Sequence, residues 1–137
     1  MIKFSDLRPI HNQIREEMDK AYNTVMDSGW YIMGEQLEKF ETEYARYCGT
    51  DYCIGVGNGL DALHLILEGY SIGIGDEVIV PANTYIATAL AVSYCHATPV
   101  FVDCDPITFN IDIEKVEDKI TNRTKAIMAV HLYGKAG

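Results

Sequence analysis

Positive charge is scarce in this sequence, and its scarcity excludes one class of partner. The 137 residues include 11 lysines and arginines against 20 aspartates and glutamates, a formal net charge of −9 at pH 7. A phosphate backbone or an anionic membrane surface repels such a chain. We therefore expect neither nucleic acid nor a membrane as a partner. A small anionic ligand is still compatible with this charge, because a helix N-terminus binds an anion locally.

Long apolar runs and paired cysteine motifs are also missing. No stretch approaches the roughly 20 apolar residues of a membrane span, and the charged N-terminal segment does not resemble a signal peptide. The four cysteines, Cys48, Cys53, Cys95 and Cys104, show no CxxC spacing. We expect buried free thiols rather than disulfides or a metal site. These features predict a cytoplasmic globular protein.

The segment from 52 to 67, YCIGVGNGLDALHLIL, carries the most informative pattern. The apolar residues between positions 53 and 56 predict a buried parallel strand. Three alternating glycines then predict a turn, and the dense apolar residues from Asp61 to Leu67 predict a helix. Such a unit directs the free N–H groups and the positive dipole end of the helix at the turn. The segment therefore predicts an anion pocket, most often one for phosphate.

The rest of the chain alternates between predicted helices and strands. Two amphipathic helices are expected, over Pro9–Asp27 and Glu35–Tyr47. The later elements are a strand at Glu77–Pro81, a helix at Thr84–Val92 with Thr84 as its cap, a strand at Thr98–Asp103, a helix at Ile113–Ile120 with Asp112 as its cap, and a strand at Lys125–His131. This alternation predicts an α/β fold with three αβα layers and a mostly parallel sheet.

Two kinds of phosphate ligand compete for the glycine turn. The residues from Gly57 to Ala62 satisfy the dinucleotide pattern G-x-G-x-x-A. A dinucleotide site also needs an acidic residue about 20 positions later, at the carboxyl end of the next strand. Here Asp76 and Glu77 precede that strand, so an NAD(P)-dependent Rossmann oxidoreductase is the weaker alternative. The single phosphate of a flat cofactor fits better, and no nucleoside-triphosphate P-loop motif is present.

Two residues at the predicted ligand-binding edge of the sheet have alternative interpretations. Tyr85 follows the strand that ends at Pro81 and could lay its ring over a planar heterocycle, or it could pack between helix and sheet. His131 ends the last predicted strand, where a structural role is favoured over a catalytic one. Both interpretations of each residue stay open at this point.

Five segments together resemble a known family: SGWYIMGEQLEKFETEYARYCG, VGNGLDALHLIL, GDEVIVPANTYIAT, TPVFVDCD and VHLYG. They are similar, in order and spacing, to the DegT/DnrJ/EryC1/StrS group of sugar-nucleotide aminotransferases. The resemblance implies the N-terminal part of a fold type I large domain, pyridoxal 5'-phosphate (PLP) as cofactor, a homodimer, and a role in deoxysugar or polysaccharide biosynthesis. The NGLDAL form resembles enzymes that aminate the 3-keto position of dTDP-linked 6-deoxyhexoses, with glutamate as the expected donor.

The resemblance also assigns residues to the cofactor. It implies that the backbone amides of Gly59, Leu60 and Asp61 bind the PLP phosphate and that Tyr85 stacks on the pyridine ring. Many relatives carry a hydroxyl residue at position 60, so the contact of Leu60 has to come from its main chain.

An apolar connection between the first two predicted helices is a candidate substrate site. Trp30, Tyr31 and Gly34 belong to this segment, which is too apolar for an ordinary loop and needs a cover. Its own core, a second subunit or a ligand could provide one. The resemblance implies an entry loop near the sugar nucleotide, often at a dimer interface.

The groups that transamination requires are not expected within this sequence. The family's catalytic lysine and the acid beside the pyridine nitrogen follow the VHLYG motif, and neither Lys125 nor Lys135 resembles that lysine segment. We therefore expect residues 1–137 to form a single partial domain, with N-terminal helices over 1–50 and PLP-binding βαβ units over 51–137. Alone it is predicted to be inactive. A non-catalytic phosphate-ligand binding domain is the alternative if the chain is complete.

Overall fold

A computed structural model describes residues 4–137 of the chain. These residues form two compact units, the first ending at Gly55 and the second spanning Val56–Gly137. The sequence predicts a helical part up to residue 50 and a βαβ part from residue 51, within one partial domain. Among the described residues, no helix combines the length and apolar character that membrane crossing requires.

Three helices make up most of the first unit: α1 at Arg8–Gln13, α2 at Arg15–Ser28 and α3 at Glu35–Cys48. The single helix predicted over Pro9–Asp27 is wrong, because Ile14 interrupts it. Ile14 leaves helical geometry (φ −114°, ψ 14°) and its N–H bonds to the carbonyl of His11 instead of that of the residue four positions earlier. The helix predicted from Glu35 is confirmed, and it extends one residue beyond its predicted end at Tyr47.

The strand predicted between positions 53 and 56 is wrong. Within the described part of the chain this run pairs with no strand, and Ile54 is 78% exposed. The N–H of Gly55 instead donates to Oε1 of Glu41 on α3, over 2.7 Å. A β-strand exists only in a ladder with a neighbour, and an apolar run cannot show whether that neighbour is present. The pattern therefore identified an apolar segment but not its pairing.

A three-stranded parallel sheet organises the second unit. Its strands are β1 at Glu77–Pro81, β2 at Thr98–Val102 and β3 at Thr124–Ile127, in the order β2-β1-β3. Every residue of β1 is buried, as expected for a central strand with both faces covered. β3 is shorter than predicted and its residues alternate between half-buried and exposed. This exposure reflects the place of β3 at the edge of the sheet that the described residues form.

Helices cover both faces of this sheet, which confirms the predicted αβα layering. Helices α4 (Gly59–Gly69) and α5 (Ala87–Tyr94) share one apolar cluster with Val78 and Val80. The intervening Ile79 points into a second cluster, with Val116 of α6 (Ile113–Glu117). Alternate residues of one strand thus supply the cores on opposite faces.

The two predicted helix caps have opposite outcomes. The side chain of Asp112 accepts the N–H of Glu114, over 3.1 Å, so the predicted cap of α6 is confirmed. The predicted cap at Thr84 is wrong, since α5 begins three residues later, at Ala87. The Thr84 hydroxyl lies 3.3 Å from the carbonyl oxygen of Pro81 and closes the turn after β1. Hydroxyl residues stabilise turns as well as helix starts, so the residue type alone does not distinguish the two.

All four cysteines carry free thiols, but the expectation that they are buried is wrong for Cys48, which is exposed, and for Cys104, which is half-buried. Cys95 is buried, as expected for a thiol in an apolar segment. Cys53 is only half-buried, and the run in which it lies forms no strand within residues 4–137.

Candidate functional site

The first turn of α4 is shaped by an asparagine that precedes it. Asn58 has extended backbone geometry, and its Oδ1 accepts the N–H of Asp61 over 3.0 Å. Its Nδ2 also donates to Oδ2 of Asp61, over 3.0 Å. Sequence reasoning missed this residue, although an asparagine directly before the first helical position is a common N-cap signal. Asn58 fixes both where α4 begins and where the Asp61 carboxylate lies.

Two amides at the start of α4 have no acceptor. Among residues 4–137, neither the N–H of Gly59 nor that of Leu60 donates to a protein atom. The Leu60 side chain packs against the apolar cluster below α4, so only its main chain is left for a ligand. A Cβ built at Gly59 meets nothing within 4 Å, which indicates open space at this turn. The geometry fits an anion held by two amides and the helix dipole.

The amide of Asp61 differs from its two neighbours. The resemblance implies a phosphate contact here, yet this N–H already donates to Asn58. The Asp61 carboxylate folds back over the turn, where a Cβ at Gly57 would lie 2.9 Å from Oδ2. A side chain at position 57 would therefore have to displace the Asp61 carboxylate. An anion at this turn meets two N–H groups that donate to no described protein atom. A third becomes available only if the hydrogen bond from the Asp61 N–H to Asn58 breaks.

Tyr85 lies in the connection between β1 and α5. Its side chain is 81% exposed, so among residues 4–137 it does not pack between helix and sheet. The Tyr85 carbonyl accepts the N–H of Thr88 over 3.2 Å, which holds the backbone of the connection. An exposed ring on an anchored backbone is suited to stacking on a planar ligand.

The loops that follow the three strands contact one another. Nδ2 of Asn83, after β1, donates to the carbonyl of Phe109 over 2.9 Å. The Phe109 ring meets that of Tyr133, after β3, edge to face with centroids 6.3 Å apart. Asn110 donates to the carbonyl of Ala136 over 2.8 Å. These contacts confirm that the carboxyl ends of the strands meet at one edge, where ligands of such sheets bind.

The loop after β2 is internally braced by Asp105. Its carboxylate accepts the N–H groups of Thr108, over 2.6 Å, and Ile107, over 3.1 Å. The backbone bond from Thr108 contributes most to lowering the pKa of Asp105, and the charge of Lys135 adds to it. The carboxylate is therefore an ionised structural group of this loop.

His131 has a contact that favours the structural interpretation. Its Nδ1 accepts the N–H of Gly137 over 3.0 Å, so the exposed imidazole links the connection after β3 to a residue six positions later. This nitrogen is thereby engaged as an acceptor, which a general base would need free.

The acidic residues that a dinucleotide would need lie at the other end of β1. Asp76 Oδ2 accepts the N–H of Gly73 over 3.0 Å. Glu77 accepts from the hydroxyl of Thr121, over 2.6 Å, and from the guanidinium of Arg123. Both carboxylates are engaged at the start of the strand, whereas Tyr85 follows its end. The geometry therefore disfavours the nicotinamide oxidoreductase.

The apolar loop of the first unit is held by its own hydrogen bonds. Nε1 of Trp30 donates to the carbonyl of Ile32 over 2.7 Å, and the N–H of Trp30 donates to the Ser28 hydroxyl over 3.1 Å. The indole lies against Gly34, where a Cβ would be 3.3 Å from it. Trp30 and Tyr31 are 66% and 62% exposed. Within the described part of the chain the loop has internal hydrogen bonds but no covering element, and its contact with substrate or a second subunit stays a prediction.

The solved structures to which this chain is similar place its fold in the class of fold type I aminotransferases. The chain is similar to the crystal structure of Streptomyces venezuelae DesV in complex with a ketimine intermediate, with a TM-score of 0.94 and 49% identity over 99% of this chain and 37% of that one. It is also similar to Spr1654 from Streptococcus pneumoniae, described as a sugar aminotransferase, in its PLP form. That TM-score is 0.80, with 37% identity over 83% of this chain and 29% of that one.

The particular family follows from the sequence. Residues 12–137 match the model of the DegT/DnrJ/EryC1/StrS aminotransferase family, and the chain belongs to this family. It is 59% identical, over 99% of its length, to the dTDP-3-amino-3,6-dideoxy-alpha-D-galactopyranose transaminase of Aneurinibacillus thermoaerophilus. The match covers 38% of that relative, so this chain spans little more than a third of its length.

Proposed function

We propose that the full-length protein to which this chain belongs is a PLP-dependent aminotransferase of nucleotide sugars. It transfers an amino group, from glutamate, to the keto group at C3 of a dTDP-linked 6-deoxyhexose. The observation that carries this proposal is the 59% identity, along almost the whole chain, to a transaminase named for a dTDP-3-amino-dideoxyhexose. The two N–H groups at the start of α4 that lack an acceptor among the described residues support it physically, because they could bind the phosphate of PLP.

The residues at the start of α4 suit the phosphate of PLP. The amides of Gly59 and Leu60 would donate to it, and the helix dipole would favour its charge. Bound PLP supplies an electron sink for the carbon that loses or gains the amino group. Tyr85 offers an exposed ring for the cofactor's flat face. Asp61 would contribute its amide only after exchanging its bond to Asn58.

The proposal also includes a substrate site, a homodimer and the catalytic residues, for which no contact among the described residues gives direct support. Trp30, Tyr31 and Gly34 would contact the sugar nucleotide, and their exposure on an ordered loop supports this assignment. The protein would act as a homodimer in the cytoplasm. The lysine that bonds to PLP and the acid beside its ring nitrogen would lie beyond Gly137, so that residues 1–137 alone would have no activity.

An amino-transfer assay on the full-length protein tests the proposed function. The protein, PLP and glutamate are incubated with a dTDP-linked 3-keto-6-deoxyhexose, and mass spectrometry follows replacement of the carbonyl oxygen by an amino group. We expect turnover that depends on both PLP and glutamate. The matched UDP-linked substrate serves as the control for the nucleotide.

Two other outcomes would contradict the proposal. Saturable binding of NADH together with hydride transfer to the keto sugar would identify an oxidoreductase. Binding of PLP without amino transfer to any nucleotide-linked keto sugar would indicate a non-catalytic phosphate-ligand protein.

A further inference from the structure

Three potential metal ligands meet between α4 and α5, beyond the first turn of α4. His64 and Glu68 are one helical turn apart on α4, and Cys95 directly follows α5. One nitrogen, one carboxylate oxygen and the thiol sulfur of these residues all lie within 4.8 Å of one another. The sequence alone does not indicate this group, because Cys95 lies 27 or more positions after the other two and only the packing of two helices joins them.

The imidazole of His64 is held in place but incompletely satisfied. Its ring meets that of Tyr94 edge to face, with centroids 5.6 Å apart. Nε2 is buried and makes no hydrogen bond within the described residues, although Oε1 of Glu68 lies 3.4 Å away. A buried polar atom without a partner is uncommon and calls for an explanation. An ion between the two residues would satisfy this nitrogen.

The three groups match the chemistry of zinc. Imidazole nitrogen, carboxylate oxygen and thiolate sulfur are its usual ligands, and the bond lengths of a tetrahedral site place neighbouring ligand atoms roughly 3.3–3.8 Å apart. The distance of 3.4 Å between Nε2 of His64 and Oε1 of Glu68 already lies in this range. The Glu68 side chain is 59% exposed, which gives the ion an entry path and allows the carboxylate to adjust.

The thiol has to lose its proton for such a site to form. Burial raises the pKa of the Cys95 thiol, and the negative charge of Glu68 raises it further. A divalent cation reverses this effect, because a coordinating thiol is deprotonated outright. The proton passes to solvent when the metal–sulfur bond forms.

We propose that His64, Glu68 and Cys95 bind one zinc-class divalent cation, with water as the fourth ligand. The ion joins α4 to α5 and is separate from the phosphate site at the first turn of α4. This proposal does not depend on the aminotransferase function.

Titration of the chelator-treated full-length protein with Co²⁺ tests the site. We expect one ion per chain and a near-ultraviolet thiolate-to-cobalt charge-transfer band. Cys95→Ser should abolish the band and weaken binding by more than about tenfold. Cys104→Ser, the matched control at a half-buried thiol of the same unit, should leave both unchanged. Absence of binding, or a band that survives in Cys95→Ser, would overturn the proposal.

A second pair of variants keeps the test valid if Cys95→Ser fails to fold. Glu68→Gln replaces an exposed ligand without disturbing the core, and Glu114→Gln is its control on α6. The first should lower Co²⁺ affinity by more than about tenfold, and the second should not. Equal affinities for both variants would contradict the site.

Discussion

At the scale of single residues, backbone geometry decides what the candidate site can bind. Leu60 was assigned to the site by its main chain alone, and its packed side chain agrees with that assignment. Asp61 was assigned in the same way, but its amide is engaged by Asn58. A sequence pattern indicates which amides open a helix. It does not show which of them a neighbouring side chain already occupies.

Asn58 should therefore stabilise α4 measurably. Asn58→Ala removes the cap and should lower the free energy of unfolding by about 1 kcal/mol, whereas Asn58→Ser retains an acceptor and should cost less. Urea unfolding followed by circular dichroism measures the difference. No loss in Asn58→Ala would show that the Asn58–Asp61 bonds contribute nothing to helix stability.

Glu77 should make stability depend on pH. The hydrogen bond from Thr121 lowers the pKa of this carboxyl below its ordinary value of 4.5, and Arg123 adds to the effect against the opposing influence of burial. A lowered folded-state pKa stabilises the fold above the unfolded-state value, and this contribution is lost as pH falls through the folded-state value. The Glu77→Gln variant should thus have a lower free energy of unfolding than the native protein at pH 7. This difference should shrink below about pH 4.5.

Unfolding midpoints measured from pH 7 to pH 3 check this expectation. Glu117→Gln, an exposed residue of α6, is the matched control and should follow the native protein throughout. A Glu77→Gln deficit that stays constant across this range would contradict the assigned ion pair.

At the scale of elements, the sequence predicted best where burial is dense and local. β1 was predicted with its observed bounds, because three adjacent β-branched residues are buried on both faces. The run at 53–56 was wrongly predicted as a strand, since pairing depends on residues distant in sequence. The break at Ile14 was missed because the apolar spacing continues across it, while only the backbone departs from helical geometry.

The fully buried Ile79 tests the layered core. Ile79→Ala should lower the free energy of unfolding by about 2–5 kcal/mol, because it leaves a cavity between β1 and α6. Ile74→Ala, at a position that is 88% exposed, should change it by no more than about 0.5 kcal/mol. Similar effects for both variants, measured by urea unfolding, would mean that the sheet face below α6 is not packed as described.

At the scale of the whole molecule, the layered fold was predictable from the sequence, whereas the contacts that would complete the site were not. Alternating helices and strands gave the αβα layers, and the family match covers residues 12–137. Both outer strands of the sheet pair on one side only within residues 4–137, and the chain spans 38% of its relative from Aneurinibacillus thermoaerophilus. The catalytic lysine, the second subunit and the sugar site therefore stay predictions, since each depends on contacts that 137 residues do not supply.

The central claim is that free amides at the start of α4 bind the cofactor phosphate, and replacing Gly59 tests it directly. Asn58 is extended and proline is tolerated at the first helical position, so Gly59→Pro removes one N–H while the helix is retained. Gly59→Ala adds a comparable side chain in the same open space and keeps the N–H.

The deciding measurement is the dissociation constant of PLP for both variants of the full-length protein. Loss of one hydrogen bond to a charged group costs about 1.5–3 kcal/mol, so Gly59→Pro should bind PLP roughly ten- to 100-fold more weakly than Gly59→Ala. Equal dissociation constants for the two variants, with α4 intact in both, would contradict the account.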